Sequence, residues 1–262
     1  MVSLLEKTRQ INKLMQQKNA FEPQAEMPYN NMARILGDVL EALTYIIGSD
    51  GKLLGYNEKI DINTDRVKSF IVDRQFPEIY VSNMENVEKT EANISVENPL
   101  TAFPTERSEY YPNGLTTVIP IFGSGERLGT IVVARTDEAF GDDDLVLAEY
   151  GATVVGMEIL YQQFLNVEEN VRSQTAVQMA INTLSYSELK AVKAIFAALE
   201  GDEGRLTASN IADEIGITRS VIVNALRKLE SAGIIDSRSL GMKGTYLKVL
   251  NPLFKEELAR HR

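Results

Sequence analysis

The sequence predicts an α+β chain of two folded domains joined by a helix, and three observations predict it. Its 262 residues exceed the ~250 at which single hydrophobic cores stop growing. Its apolar residues switch repeatedly between the 3.6-residue period of helices and the two-residue period of strands. Its charge is divided: the formal net charge is −10, yet residues 205–262 hold ten basic and six acidic side chains, leaving −14 on the first 204. A basic end on an acidic chain is the asymmetry expected when one part meets phosphates.

The N-terminal part begins with residues 3–17, where Leu4, Leu5, Ile11, Leu14 and Met15 recur at three- and four-residue steps, an amphipathic helix. Pro23 and Pro28 mark a loop. Residues 30–43 are again helical, with Met32, Ile35, Leu36, Val39, Leu40 and Leu43 on one broad stripe. Residues 44–47 and 52–56 then predict a strand hairpin around Gly48-Ser49-Asp50-Gly51, because Asp-Gly is a strong turn signal. A short helix follows near 65–70, with Asn63 or Thr64 as its cap. Residues 85–100 are polar and predict irregular chain.

Two β-branched strands come next, LTTVIPIF (115–122) and LGTIVVA (128–134). From about 145 to 183 a long helix is expected, with no proline and only Gly151 and Gly156 inside it. This order suggests a sensor-type domain on an antiparallel sheet, of GAF or PAS kind. The segment NVEENVRSQ carries few apolar positions, as in a solvent-bridging helix, which predicts a connector that holds two domains apart or pairs with a second chain. Packing of that helix onto its own domain is the alternative.

In the C-terminal part, Ser185-Tyr186-Ser187-Glu188 has the form of a capping box, opening a helix with Leu189, Val192, Ile195, Phe196 and Leu199. Gly201 and Gly204 end it. Thr207 can cap a second helix, stopped by Gly216, and Thr218 a third, stopped by Gly233. At about 100° per residue, Val221, Ile222, Ala225, Leu226 and Leu229 share one face of the third helix. Ser220, Val223, Asn224 and Arg227 face the other way, with Arg219 at the N-terminal end. A turn at 241–244 joins two strands into a wing bearing Arg238 and Lys243. Together these predict a winged helix-turn-helix whose outward residues reach double-stranded DNA. The candidate contacts are Ser209, Asn210, Thr218, Arg219, Ser220, Asn224, Arg227, Arg238 and Lys243.

Composition narrows the chemistry. Cysteine is absent and His261 is the only histidine, which leaves no thiolate, no Ser-His-Asp triad and no His- or Cys-rich metal site. No metal is expected, and no catalytic residue. A phosphate-cradling Gly loop should open a helix, whereas GSGER (123–127) lies between strands, and Asp142-Asp143-Asp144 suits a helix start. No apolar run approaches the ~18 residues of a membrane span, so a cytoplasmic protein with no membrane partner is expected. The competing reading is a nucleotide-responsive switch or enzyme built on the sensor domain.

Several long strings carry a family resemblance. ASNIADEIGITRSVIVNALRKLESAG (208–233), SRSLGMKGTYLKVLN (237–251), DRQFPE (73–78), TAFP (101–104), GERLGT (125–130) and FGDDDLVLAEYGATVVGMEIL (140–160) are similar to the CodY family, nutrient-responsive global repressors of low-GC Gram-positive bacteria. The resemblance spans nearly the whole chain. It implies a GAF-like effector domain over 1–156, a helical linker over 157–184 and a winged helix-turn-helix over 185–262. It also implies a homodimer that binds operators when isoleucine, leucine or valine is plentiful.

By the same resemblance, Arg66 takes the ligand carboxylate, and the apolar pocket comprises Val67, Phe70, Phe76, Pro77, Tyr80, Phe103, Pro104 and Thr105, with Thr101 and Ala102 in the same loop. The residues are compatible with this, because Arg66 and Phe70 are four apart and share a helix face. Alone, Arg66 would read as a solvated surface arginine, and the aromatics as core. Several family members also respond to GTP, with basic residues in the first hairpin. Here that turn carries Asp50, which repels a triphosphate, so GTP is expected to be a weak effector or none.

Overall fold

The α/β alternation of the first half resolves into one sheet covered on both faces. The computed structural model describes residues 3–16, 21, 25–59, 62, 64–199, 201–241 and 244–261; the side chains of Leu14, Asp65, Arg66, Thr105 and Arg107 lie outside the description. Of the sequence expectations, Pro23, the alternative cap Asn63 and the wing residue Lys243 also fall outside the described residues. The chain divides into two compact units, 1–163 and 164–262.

In the first unit, helices α1 (Leu4–Met15) and α2 (Asn30–Leu40) precede the hairpin β1 (Leu43–Gly48) and β2 (Leu53–Asn57). Helix α2 stops earlier than the apolar stripe suggests, because Glu41 turns left-handed (φ 50°) and Leu43 already belongs to β1. Helices α3 (Asp65–Asp73) and α4 (Glu78–Glu85), strand β3 (Glu91–Ser95) and a 3₁₀ turn (Thr105–Tyr110) lead to β4 (Leu115–Gly123) and β5 (Glu126–Arg135). Thr64 occupies the N-cap position of α3, but its hydroxyl makes no capping bond.

The five strands are antiparallel in the order β2-β1-β5-β4-β3. Tyr45 pairs with Val132 and Ile46 with Ile131, so alternate residues face opposite layers. Ile46, Ile131 and Val133 join Met32, Leu36 and Leu147 in one core. Tyr45, Ile47, Val132 and Ala134 join Ile71, Phe76 and Phe103 in a second core on the other face. Each buried aliphatic or aromatic side chain in these layers contributes roughly 1.5–3 kcal/mol. Between β4 and β5, Ser124 and Gly125 both take positive φ (51° and 84°), the geometry of a two-residue type I′ hairpin.

Helix α5 (Asp142–Asn182) follows and continues past the boundary between the units. A side chain at Gly151 would strike Leu36 at 2.6 Å, and one at Gly156 would strike the Phe122 carbonyl at 2.8 Å. These glycines therefore let the helix approach its neighbours closely. Buried Arg135, stacked on Phe140, donates to Leu40 O (Nε, 2.9 Å), to Ala139 O and to Asp144 (2.9 Å), holding the start of α5 beside the end of α2.

In the second unit, Val177, Ala180 and Ile181 of α5 pack into a core with α6 (Tyr186–Ala198), α7 (Ala208–Ile215) and α8 (Arg219–Ser231). The end of the connector segment thus forms part of this unit's core, where three apolar residues spaced three and one apart create a local stripe. The capping box at Ser185–Glu188 is formed in both directions. Strand β6 (Glu203–Leu206) pairs with β8 (Thr245–Val249), which pairs with β7 (Ile235–Ser239); α9 (Phe254–Arg260) ends the unit. Thr207 and Thr218 stand at the N-cap positions of α7 and α8, yet neither hydroxyl caps its helix; Thr218 Oγ1 lies 2.8 Å from Ser220 Oγ instead.

Candidate functional site

The sheet face opposite α1, α2 and α5 is incompletely filled. Between β1, β5, α3, α4 and the 97–104 loop lies a mostly apolar cavity of about 350 Å³, within the ~300–1,000 Å³ range of small-molecule sites. Val67 and Phe70 reach it from α3, and Phe76 and Pro77 from the α3–α4 connection. Tyr80 reaches it from α4, and Thr101, Ala102, Phe103 and Pro104 from the loop. Arg66 occupies the first turn of α3, next to Val67 in sequence, and Thr105 begins the 3₁₀ turn after Pro104. Their side chains are outside the described residues.

Aromatic packing shapes the wall. Phe76, only 7% exposed, has ring centroids of Tyr45, Phe70 and Tyr80 at 5.9, 6.2 and 6.1 Å. Tilted and edge-on pairs of this kind add ~0.5–1.5 kcal/mol beyond burial. The loop is held by hydroxyls: Thr116 Oγ1 accepts from Ala102 N (3.0 Å), Thr101 Oγ1 accepts from Phe103 N (3.2 Å), and Tyr80 donates to the Thr101 carbonyl. That last bond links α4 directly to the loop, so two walls of the cavity share one contact.

Tyr45, Ile47 and Val132 form the sheet side of the cavity, Ile79 stands at its rim with 72% exposure, and Glu97, Asn98 and Pro99 complete the loop side. Sequence reasoning missed all seven. The strand residues read as ordinary alternating core, and Glu97–Pro99 fall in a stretch with no periodicity. Arg127 was missed as well. Its guanidinium donates to Val87 O (2.6 Å), Met84 O (3.1 Å) and Thr130 Oγ1 (2.9 Å), fastening the end of α4 to β5. The Gly48–Gly51 turn carries an Asp50–Lys52 ion pair at 2.8 Å, so the one lysine beside the turn is already matched by a carboxylate.

In the second unit, Ser209, Asn210, Thr218, Arg219, Ser220, Asn224 and Arg227 are all exposed on α7, the turn and α8. Ile222, Ala225, Leu226 and Leu229 are buried beneath them. Gly216, with φ 70°, ends α7 and makes the tight turn that brings the two helices together. Arg238 is exposed on β7 and pairs with Asp236 at 3.3 Å. Among the described residues there is no cluster of His, Asp or Glu able to hold a metal, and no helix long and apolar enough to cross a membrane.

Comparison with known proteins gives the two units separate matches. The sequence model for the CodY GAF-like domain matches residues 3–183, and that for the CodY helix-turn-helix domain matches residues 202–262. Among solved structures, the chain is similar to the cofactor-binding GAF domain of the nutrient sensor CodY from Clostridium difficile, with 38% identity over 61% of this chain and 99% of that one, TM-score 0.42. It is also similar to the GAF domain of a phosphoenolpyruvate-protein phosphotransferase (ptsP) from Coxiella burnetii, with 17% identity over 63% of this chain and 99% of that one, TM-score 0.47. With family matches covering most of its length, the chain belongs to the CodY family: it is a ligand-responsive transcription regulator, not an enzyme, with a GAF-like sensor and a helix-turn-helix DNA-binding domain.

Proposed function

We propose that this chain is a global regulator, chiefly a repressor, of nutrient-limitation and amino-acid metabolism genes in the cytoplasm. Branched-chain amino acids, isoleucine foremost and leucine and valine with it, tighten its hold on double-stranded operator DNA. The observation that carries the reading is the largely apolar cavity of about 350 Å³ beside the N-terminal turn of α3, where Arg66 sits. A branched aliphatic side chain buried there gains roughly 1.5–3 kcal/mol, and a charge-assisted hydrogen bond from Arg66 to the ligand carboxylate adds about 1.5–3 kcal/mol. The total of about 3–6 kcal/mol corresponds to weak, readily reversible binding, suited to following a metabolite pool.

In this reading residues 1–156 form the effector domain, 157–184 the connector and 185–262 the DNA-binding domain. Arg219, Ser220 and Asn224 address base edges from α8, while Ser209, Asn210, Thr218, Arg227, Arg238 and Lys243 take the flanking phosphates. The working form is a homodimer, since a two-fold protein matches two operator half-sites. Phe164, Val167 and Val171 support it: they recur at three- and four-residue steps on α5 and are 63%, 61% and 57% exposed. GTP is not proposed as an effector, because the Asp50–Lys52 pair leaves the first hairpin without net positive charge.

Arg66→Ala tests the assignment. Calorimetry with isoleucine should show no binding heat, and isoleucine should no longer change operator affinity, while binding without ligand stays at the wild-type level. An Arg66→Ala protein that binds and responds to isoleucine as wild type does would contradict the carboxylate clamp.

A further inference from the structure

Helix α5 supplies side chains to a core of each unit: Leu147, Ala148 and Val155 to the one that holds Met32 and Leu36, and Val177, Ala180 and Ile181 to that of the second unit. At its start the Arg135–Asp144 pair fixes it to β5, three residues after cavity-lining Val132. Near its end, inside the 164–262 unit, a second polar anchor ties it to α9. Glu257, only 8% exposed, accepts from Gln174 Nε2 at 2.8 Å and from Gln178 Nε2 at 3.2 Å. Its own helix adds Arg260, donating at 3.0 Å. Asn251 Nδ2 donates to Ser173 O at 3.1 Å, and His261 Nε2 lies 3.3 Å from Asn182 Oδ1.

The bonds from Gln178 and Gln174 favour the ionised carboxylate more than its partial burial disfavours it, and hold it below its ordinary value. The contact is sensitive to register. Gln174 and Gln178 are four apart and present their amides on one face of α5. A shift of one residue along the helix, about 1.5 Å and about 100°, swings both amides off the carboxylate and leaves it short of donors. Only Arg260, on Glu257's own helix, would still donate to it. Helix α9 also buries Phe254 and Leu258 in the core that seats Ile222, Leu226 and Leu229 of α8.

We propose that Glu257 is a positioning residue that fixes the register of α5 on the winged helix, and so carries the effector response to α8. The proposal rests on the reading of the first unit as an amino-acid sensor. Effector coupling of this kind is typically about 5–150-fold in affinity.

The test uses the full chain with E257Q, and separately Q174A/Q178A, which leaves α9 untouched. Isoleucine affinity is measured by calorimetry, and operator affinity by anisotropy with and without isoleucine. Both variants should bind isoleucine as wild type does and bind operator without it within about threefold of wild type. The isoleucine enhancement should fall to less than about twofold. Adding Q174E to E257Q moves the carboxylate across the contact and should restore part of the enhancement. If operator affinity instead falls equally with and without isoleucine, or does not change, Glu257 is only structural and the proposal is overturned. Should E257Q lose DNA binding through unfolding, Q174A/Q178A decides by the same two outcomes. A wild-type protein that shows no isoleucine enhancement would fail the sensor reading itself, separately from this contact.

Discussion

Arg219 stands exposed at the first position of α8, with no acidic side chain paired to it among the described residues. Arg238 is drawn to Asp236 at 3.3 Å, and Lys248 to Glu203 at 3.8 Å. A cation already paired must give up its partner to reach DNA, so the unpaired one contributes more. Arg219→Ala should therefore weaken operator binding by about 1–3 kcal/mol, roughly 5–150-fold, in an anisotropy titration, with isoleucine uptake unchanged. Arg238→Ala should cost less. Undiminished operator affinity in Arg219→Ala would remove α8 from recognition.

The exposed face of α8 was legible because helical period alone separates Arg219 and Asn224 from Ile222 and Leu226. The cavity was legible only in part. Phe76 and Phe103 belong to short strings that resemble the family, whereas Tyr45, Ile47 and Val132 alternate like any strand residues. Only the pairing of β1 with β5 shows that their shared face fronts a cavity.

At the scale of elements, the capping box does more than start α6. Glu188, 8% exposed, also accepts from Lys228 of α8 at 2.7 Å, and Lys228 donates to Thr183 O at 2.9 Å, so the Glu188–Lys228 pair joins the residue after α5, the start of α6 and α8. Burial by itself pushes this carboxyl up; the bonds from Lys228 and Ser185 outweigh that and hold it below its ordinary value of 4.5. A folded-state value below the unfolded one means stability present above pH 4.5 and lost as pH falls through the folded value. The thermal midpoint of the protein should fall with acidification below that point, and Glu188→Gln should flatten the fall while lowering the midpoint at neutral pH. A Glu188→Gln melt with the wild-type acid dependence would contradict this.

Elements missed in the sequence share a physical cause. Strand β3 (EANIS) is an edge strand with one buried residue, β6 (EGRL) is interrupted by glycine, and α9 is seven residues long. Each is too short or too polar for periodicity to register, and each forms because a neighbouring strand or core is already in place. The long strands and capped helices needed no such context.

At the scale of the molecule, the division into an acidic sensor and a basic DNA-binding end was visible in charge and period alone. What a single chain's sequence leaves open is how the two communicate, because a contact such as that of Glu257 with Gln174 belongs to no motif. The central claim is that amino-acid binding and DNA binding favour one another. The direct measurement is a fluorescence anisotropy titration of operator DNA at fixed salt, with and without isoleucine. Isoleucine should lower the dissociation constant by about 5–150-fold. Superimposable curves in the two conditions, with the protein folded, would contradict it.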